Sequence, residues 1–141
     1  MAQVLRGAEW LYPVVNLLHV LGIALLFGAV TLLDLRLIGA WRSVPRPLLA
    51  RPAVPVAAAG FLLAASSGVG LLSVKAVEYA GNPFLYAKFG AIALAGGNAL
   101  LLHRSAAWRG GDDHWGLAWA GAASLACWLG AVTAGRMIAY Y

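Results

Sequence analysis

Five ionisable side chains stand inside or at the edges of apolar stretches: His19, Asp34, Lys88, His103 and Arg136. An ionisable group in a membrane span costs at least ~2.5 kcal/mol on insertion scales, so each is a functional candidate by default. Milder polar residues accompany them, chiefly Asn16, Ser66, Ser67, Ser73, Asn98 and Thr133. Neutral imidazole is an axial ligand for haem iron and a ligand for copper. A cationic side chain beside such a site could pair with a haem propionate, a role open to Lys88 and Arg136. Asp34 follows His19, and His103 follows Lys88, by the same 15-residue interval. That interval is about 22 Å of helix and returns to within roughly 60° of the same face. The spacing therefore predicts two polar layers, His19 with Lys88 and Arg136 in one, Asp34 with His103 in the other. Ser66, Gly70 and Ser73 share one helix face that climbs toward the first layer, and Asn16 shares the His19 face. The residues offered for a cofactor are thus His19, Lys88, His103, Arg136 and Asn16, with His19 and His103 as the metal ligands. The two histidines differ in depth by about 15 Å, which argues against one bis-histidine haem within one chain. Asp34 with Arg36 also reads as a charge arrangement at a helix end.

No HExxH, no Ser–His–Asp spacing and no paired carboxylates occur in these stretches, so hydrolysis finds no machinery. The single cysteine, Cys127, allows no internal disulfide, CxxC pair or CxxCH haem attachment. It reads as a small packed hydrophobe.

The elements that must position these groups follow from composition. The 141-residue chain is 62% hydrophobic and 11% charged, against about 45–50% and about 25% for a soluble domain. Four long apolar stretches run from about 10–37, 53–74, 84–103 and 115–140. Each matches the roughly 20 residues that a bilayer crossing needs, and each must be helical in lipid. The expected fold is a single all-α domain, a polytopic membrane protein built as an antiparallel four-helix transmembrane bundle. The first stretch is too long, and lacks the A-x-A-like site, for a cleavable signal peptide. Arginines are scattered over loops and form no basic face, which excludes nucleic acid as a partner.

The loops set the orientation. Arg36, Arg42, Arg46 and Arg51 surround the first loop, Arg104 and Arg109 the third, and only Lys75 the second. By the positive-inside rule the first and third loops are cytoplasmic and both termini periplasmic. Arg6 and Arg136 oppose this weakly. The setting that results is a bacterial inner membrane. Pro45, Pro47 and Pro52 are expected to stop both helices flanking the first loop. Glu78 and the Gly81-Asn82-Pro83 turn mark the second loop, and Gly110, Gly111, Asp112 and Asp113 the third. Trp10, Tyr12, Trp41, Tyr79, Tyr86, Trp108, Trp115, Tyr140 and Tyr141 fall near the stretch ends as an aromatic belt. Ala118, Ala122, Ala126, Gly130 and Ala134 recur every fourth residue and form a smooth ridge suited to close helix packing or to a homo-oligomer. Ala64 with Gly68, and Ala24 with Gly28, repeat the pattern.

The segments Leu18–Gly22 with Asp34–Leu37, Asn82–Phe84 with Lys88, Asn98 and His103, and Ala134–Tyr141 resemble a group of small bacterial four-span membrane proteins of uncharacterised function. His19, Lys88 and His103 further resemble, more distantly, the HemJ-type protoporphyrinogen oxidases and the copper-resistance CopD-like membrane domain. The first loop here is short and Pro/Arg-rich, and leucines replace the aromatic surroundings of the first-span histidine. The resemblance implies bound haem b and redox chemistry near porphyrins. It points to an electron-transfer protein in contact with lipid, haem or porphyrin, and a quinone or other redox partner. Three alternatives stay open: an oxidoreductase of the protoporphyrinogen-oxidase type, a copper-handling or transport module, and a cofactor-free structural subunit.

Overall fold

A computed structural model describes residues 10–74, 80–105, 108–110 and 113–140. Expectations placed on Arg6, Lys75, Glu78, Tyr79, Gly111, Asp112 and Tyr141 lie outside the described residues. Four helices form: α1 (Leu11–Ile38), α2 (Arg46–Val74), α3 (Pro83–Arg104) and α4 (His114–Met137), with a short 3₁₀ turn at Ile138–Tyr140. All four are long and apolar enough to cross a membrane. The chain is an all-helical, multi-pass membrane protein with the build of a four-helix bundle.

The bundle is inside out relative to a water-soluble one. Leu17, Val20, Leu62, Val69, Leu94 and Leu101 are more than half exposed, while no large side chain is fully buried among the described residues. Small and polar residues fill the interior instead: Gly22, Asp34, Gly60, Ala64, Ser67, Ala95, Gly121, Ser124, Ala131 and Ala134. Lipid tails are as apolar as leucine, so leucines gain nothing by turning inward, and close backbone contact holds the helices together.

The packing order is α2–α1–α4–α3. Strong contact joins α1 to α2, α3 to α4 and α1 to α4, with nothing comparable between α2 and α3 among the described residues. Pairings such as His19 with Ala64 and Leu26 with Gly60 make α1 and α2 antiparallel. Asn98 with Ala120, and Asn82 with Ile138, do the same for α3 and α4. The closest crossing is between α1 and α2. A Cβ on Gly22 would stand 2.5 Å from Ala64 N, and one on Gly60 would stand 2.5 Å from Leu26 N. Gly121 plays the same part where α4 meets α1, 2.8 Å from Asp34 O.

Three expectations are corrected here. The prolines stop neither flanking helix. Gly39, at φ 129°, ends α1 before them, and α2 starts at Arg46 and runs through Pro52 and Pro55. Pro47 sits in the first turn of α2, where its missing N–H is no loss. Pro52 and Pro55 leave the carbonyls of Leu48 and Arg51 without their usual donors, close to the helix end. Second, the four-residue ridge on α4 is not the packed face. Ala122, Ala126 and Gly130 are exposed, whereas Leu117, Gly121, Ser124, Ala131 and Ala134 face inward. A face repeating every four residues drifts around a 3.6-residue helix, so only its Ala134 end reaches the interior. Ala24 and Gly28 also face outward, and Gly22 takes the contact in their place. Third, Arg36 does not pair with Asp34. Its guanidinium donates to Val44 O at 2.7 Å and to Arg42 O at 3.3 Å, clamping the first loop.

Capping follows local chemistry elsewhere. Asn82 accepts from Phe84 N at 3.0 Å at the start of α3, ahead of Pro83. Asp113 accepts from Gly116 N at 2.8 Å at the start of α4. Trp10, Trp41, Tyr86, Trp115 and Tyr140 lie exposed at or near helix ends, where amphipathic rings meet headgroups.

Candidate functional site

His19 lies two turns into α1, half-buried against α2. Its Nδ1 is 2.8 Å from Ala64 O and 3.2 Å from Ser67 Oγ. A carbonyl oxygen only accepts, so Nδ1 carries the hydrogen and donates it. Nε2 of the neutral ring is then an unprotonated lone pair, and it makes no hydrogen bond among the described residues. Ser67 Oγ gives its own proton to Leu63 O at 2.5 Å, which leaves its lone pairs toward the imidazole. The ring lies over Gly68, where a Cβ would come 3.0 Å from Cε1. Gly60, Ala64 and Gly68 therefore form the continuous small face of α2 that admits first the backbone of α1 and then its histidine.

Lys88, two turns into α3, brings a cation to the same level. Its Nζ lies beside Gly135 of α4, 3.5 Å from where a Cβ would be. No carboxylate of the described residues pairs with it. His19 and Lys88 thus stand at a similar level on opposite hairpins, each over a glycine of its neighbouring helix.

The other sequence candidates are placed elsewhere. Arg136 is exposed and donates to Tyr140 Oη at 2.7 Å, with its guanidinium 4.9 Å from that ring's centroid. His103 is exposed near the end of α3. It bonds back to Ala99 O at 2.8 Å and stacks at 4.7 Å on Trp108. Asn16 is exposed on α1. Ser66 points outward and bonds to Leu62 O at 2.8 Å, while its neighbour Ser67 faces the histidine. Cys127 is a free, half-buried thiol.

The second polar layer is present but differently composed. Asp34 is only 4% exposed, between α1 and α4. Ser124 of α4, itself buried, lies close to its carboxyl. Asp34 Oδ2 and Thr31 Oγ1 are buried without hydrogen-bond partners. Asn98 closes the α3–α4 pair nearby, donating to Ala120 O at 2.9 Å. Thr31 and Ser124 were not separable by sequence from other small polar residues on apolar helices. Their only signal is spacing, Thr31 standing one turn before Asp34.

Comparison with protein-family models, with curated proteins and with solved structures finds no match. No group of three or more His, Cys, Asp or Glu side chains that could hold a metal ion is gathered among the described residues.

Proposed function

We propose that the protein binds haem b through His19 and takes part in membrane electron transfer. The observation that carries this reading is the anchoring of the imidazole through Nδ1, which leaves Nε2 as an oriented free donor. A metal-ligating histidine characteristically gives its other N–H to a carbonyl or carboxylate, which fixes tautomer and ring orientation. Haem iron is held largely by its macrocycle and asks the protein for only one or two axial ligands, so one such histidine suffices to begin a site. Lys88 supplies the second requirement. A cation within the span that no carboxylate of the described residues pairs with is expensive, and a propionate would neutralise it. Gly68 and Gly135 give the two basic side chains room to lie against α2 and α4, which a larger residue at either position would deny them.

When bound, haem supplies one-electron exchange. His19 would hold the group through its iron, Ser67 and Ala64 keep the imidazole from turning, and Lys88 would pair with a propionate. His103 stands exposed toward the opposite end of α3 from Lys88 and stacks on Trp108, so it is not assigned to this site. The arginines at the ends of α1, α2 and α3 support an orientation with the two short loops in the cytoplasm and both termini in the periplasm of a bacterial inner membrane.

The test is the visible spectrum of detergent-purified protein from haem-supplemented cells, oxidised and dithionite-reduced. A Soret band that is lost in His19→Ala and kept in His103→Ala is expected. No band in the unaltered protein, or a band untouched by His19→Ala, refutes the assignment.

A further inference from the structure

Asp34 is the most deeply buried charged-type residue among those described, at 4% exposure. It sits where α1 and α4 touch, next to Gly121 and Ser124. Ser124 reaches one side of its carboxyl, and Oδ2 is left buried with no partner. Thr31 Oγ1, one turn earlier on α1, is orphaned in the same way. A threonine on a helix would ordinarily turn its hydroxyl back to a preceding carbonyl, and here it does not.

Among the described residues no cation neutralises the carboxylate. Arg36 is engaged with Val44 and Arg42 in the first loop. The charged and titratable side chains of the helices packed on α1 are Arg46 and Arg51 on α2 and His114, Cys127 and Arg136 on α4, whereas burial and Ser124 are what act on the carboxyl. An unpaired carboxylate in such surroundings is strongly disfavoured, and such groups take up a proton instead. A buried water requires about two to four polar partners. Two orphan oxygens at i and i+3, which are neighbours on a helix face, meet the lower bound.

We propose that Asp34 is a proton-binding site within the bundle, with one water linking its free oxygen to Thr31. The carboxylate takes one proton from water and returns it to water, and no other bond changes. The four side-chain oxygens of Thr31, Asp34 and Ser124 fall short of the six or more that a hard metal cation gathers, so a proton is the occupant. The site is separate from His19 and does not depend on haem.

The experiment is infrared difference spectroscopy of the full-length protein in detergent, titrated from acid to alkaline pH in water and in deuterium oxide. A protonated-carboxyl band that moves in deuterium oxide and is absent from Asp34→Asn is expected. The same band should change frequency in Thr31→Val, which removes the water's second partner. Spectra of the parent and Asp34→Asn that superimpose at every pH overturn the proposal. Loss of the band on adding sodium at constant pH and ionic strength also overturns it, in favour of a metal-cation site. If Asp34→Asn fails to fold, the Thr31→Val comparison decides, and an unmoved band there overturns the proposal. Asp34→Asn should leave any Soret band unchanged.

Discussion

Replacing Gly22 by alanine should separate the first two helices and loosen His19 in one step. The new Cβ would stand 2.5 Å from Ala64 N, 2.9 Å from Gly60 O and 3.0 Å from Ala64 Cα. All three are backbone atoms, so no rotamer change relieves the clash. Ordinary van der Waals contact lies near about 3.5 Å, so the helices must part by about 1 Å. The same movement would stretch the 2.8 Å contact from His19 Nδ1 to Ala64 O beyond hydrogen-bonding range. Overpacking costs about 1–3 kcal/mol, and an interhelical hydrogen bond in a membrane protein is worth about 0.6 kcal/mol. Gly28 is the matched control, because nothing lies within 4 Å of a Cβ there. Both substitutions gain the same helix propensity, about 0.5–1 kcal/mol, so this term cancels between them. The expected gap in stability is about 2–4 kcal/mol, or about 30- to 900-fold in the unfolding constant. Unfolding in mixed dodecyl maltoside and dodecyl sulfate micelles, followed by circular dichroism, measures it. Gly60→Ala should behave like Gly22→Ala, and the pair should be less than additive, since the second methyl enters a gap already opened. A Gly22→Ala protein as stable as Gly28→Ala would refute the reasoning.

Other outcomes follow from single contacts. Gly68→Ala brings a methyl to 3.0 Å from His19 Cε1, so it should displace the ring and shift or abolish a Soret band while leaving helix content intact. Asn98→Ala removes the bond to Ala120 O and should destabilise by about 0.6 kcal/mol, rising to ~1.7 at most, in the same micelle assay. Asn82→Ala removes the cap on α3 and the contact to Ile138 O, with an expected loss of about 0.5–2 kcal/mol. Alkaline phosphatase fused after Tyr141 should be active, and fused in the 39–45 loop inactive; the opposite pattern would overturn the assigned orientation.

The architecture was legible because it rests on length and hydropathy, which are local quantities. All four expected stretches are helices, and their ends agree closely except at the start of α2. There the expectation treated proline as a helix terminator. Proline excludes itself only where the lost donor cannot be replaced, and the first turns of α2 near a headgroup region are not such a place. The facing of each helix was far less legible. In a soluble protein the apolar stripe announces the buried face, but here leucine and valine cover the outside and alanine, glycine and serine occur on both sides. The ridge through Ala122, Ala126 and Gly130 was therefore indistinguishable in sequence from the contact face through Gly121 and Ser124. The same ambiguity hid the exchange of Ser66 for Ser67 beside His19. The ionisable residues were easier, since their cost in lipid marks them whichever way they face. Their partners were not visible, because Arg36 is only two residues from Asp34 in sequence but bonds to the loop, whereas Ser124 comes from the far end of the chain.

The order α2–α1–α4–α3 means that the chain consists of two helical pairs meeting along one seam. Each pair carries its own polar clasp, His19 on Ala64 in the first and Asn98 on Ala120 in the second. During synthesis the first pair can close before the second has left the ribosome. The second pair then docks onto a finished surface through the groove at Gly121. His19 has its carbonyl anchor from the beginning, but Lys88 reaches it only on docking. The arrival of Lys88 at the level of His19 is therefore a record of correct assembly, and a half-built protein would carry an anchored histidine with no cation at its level.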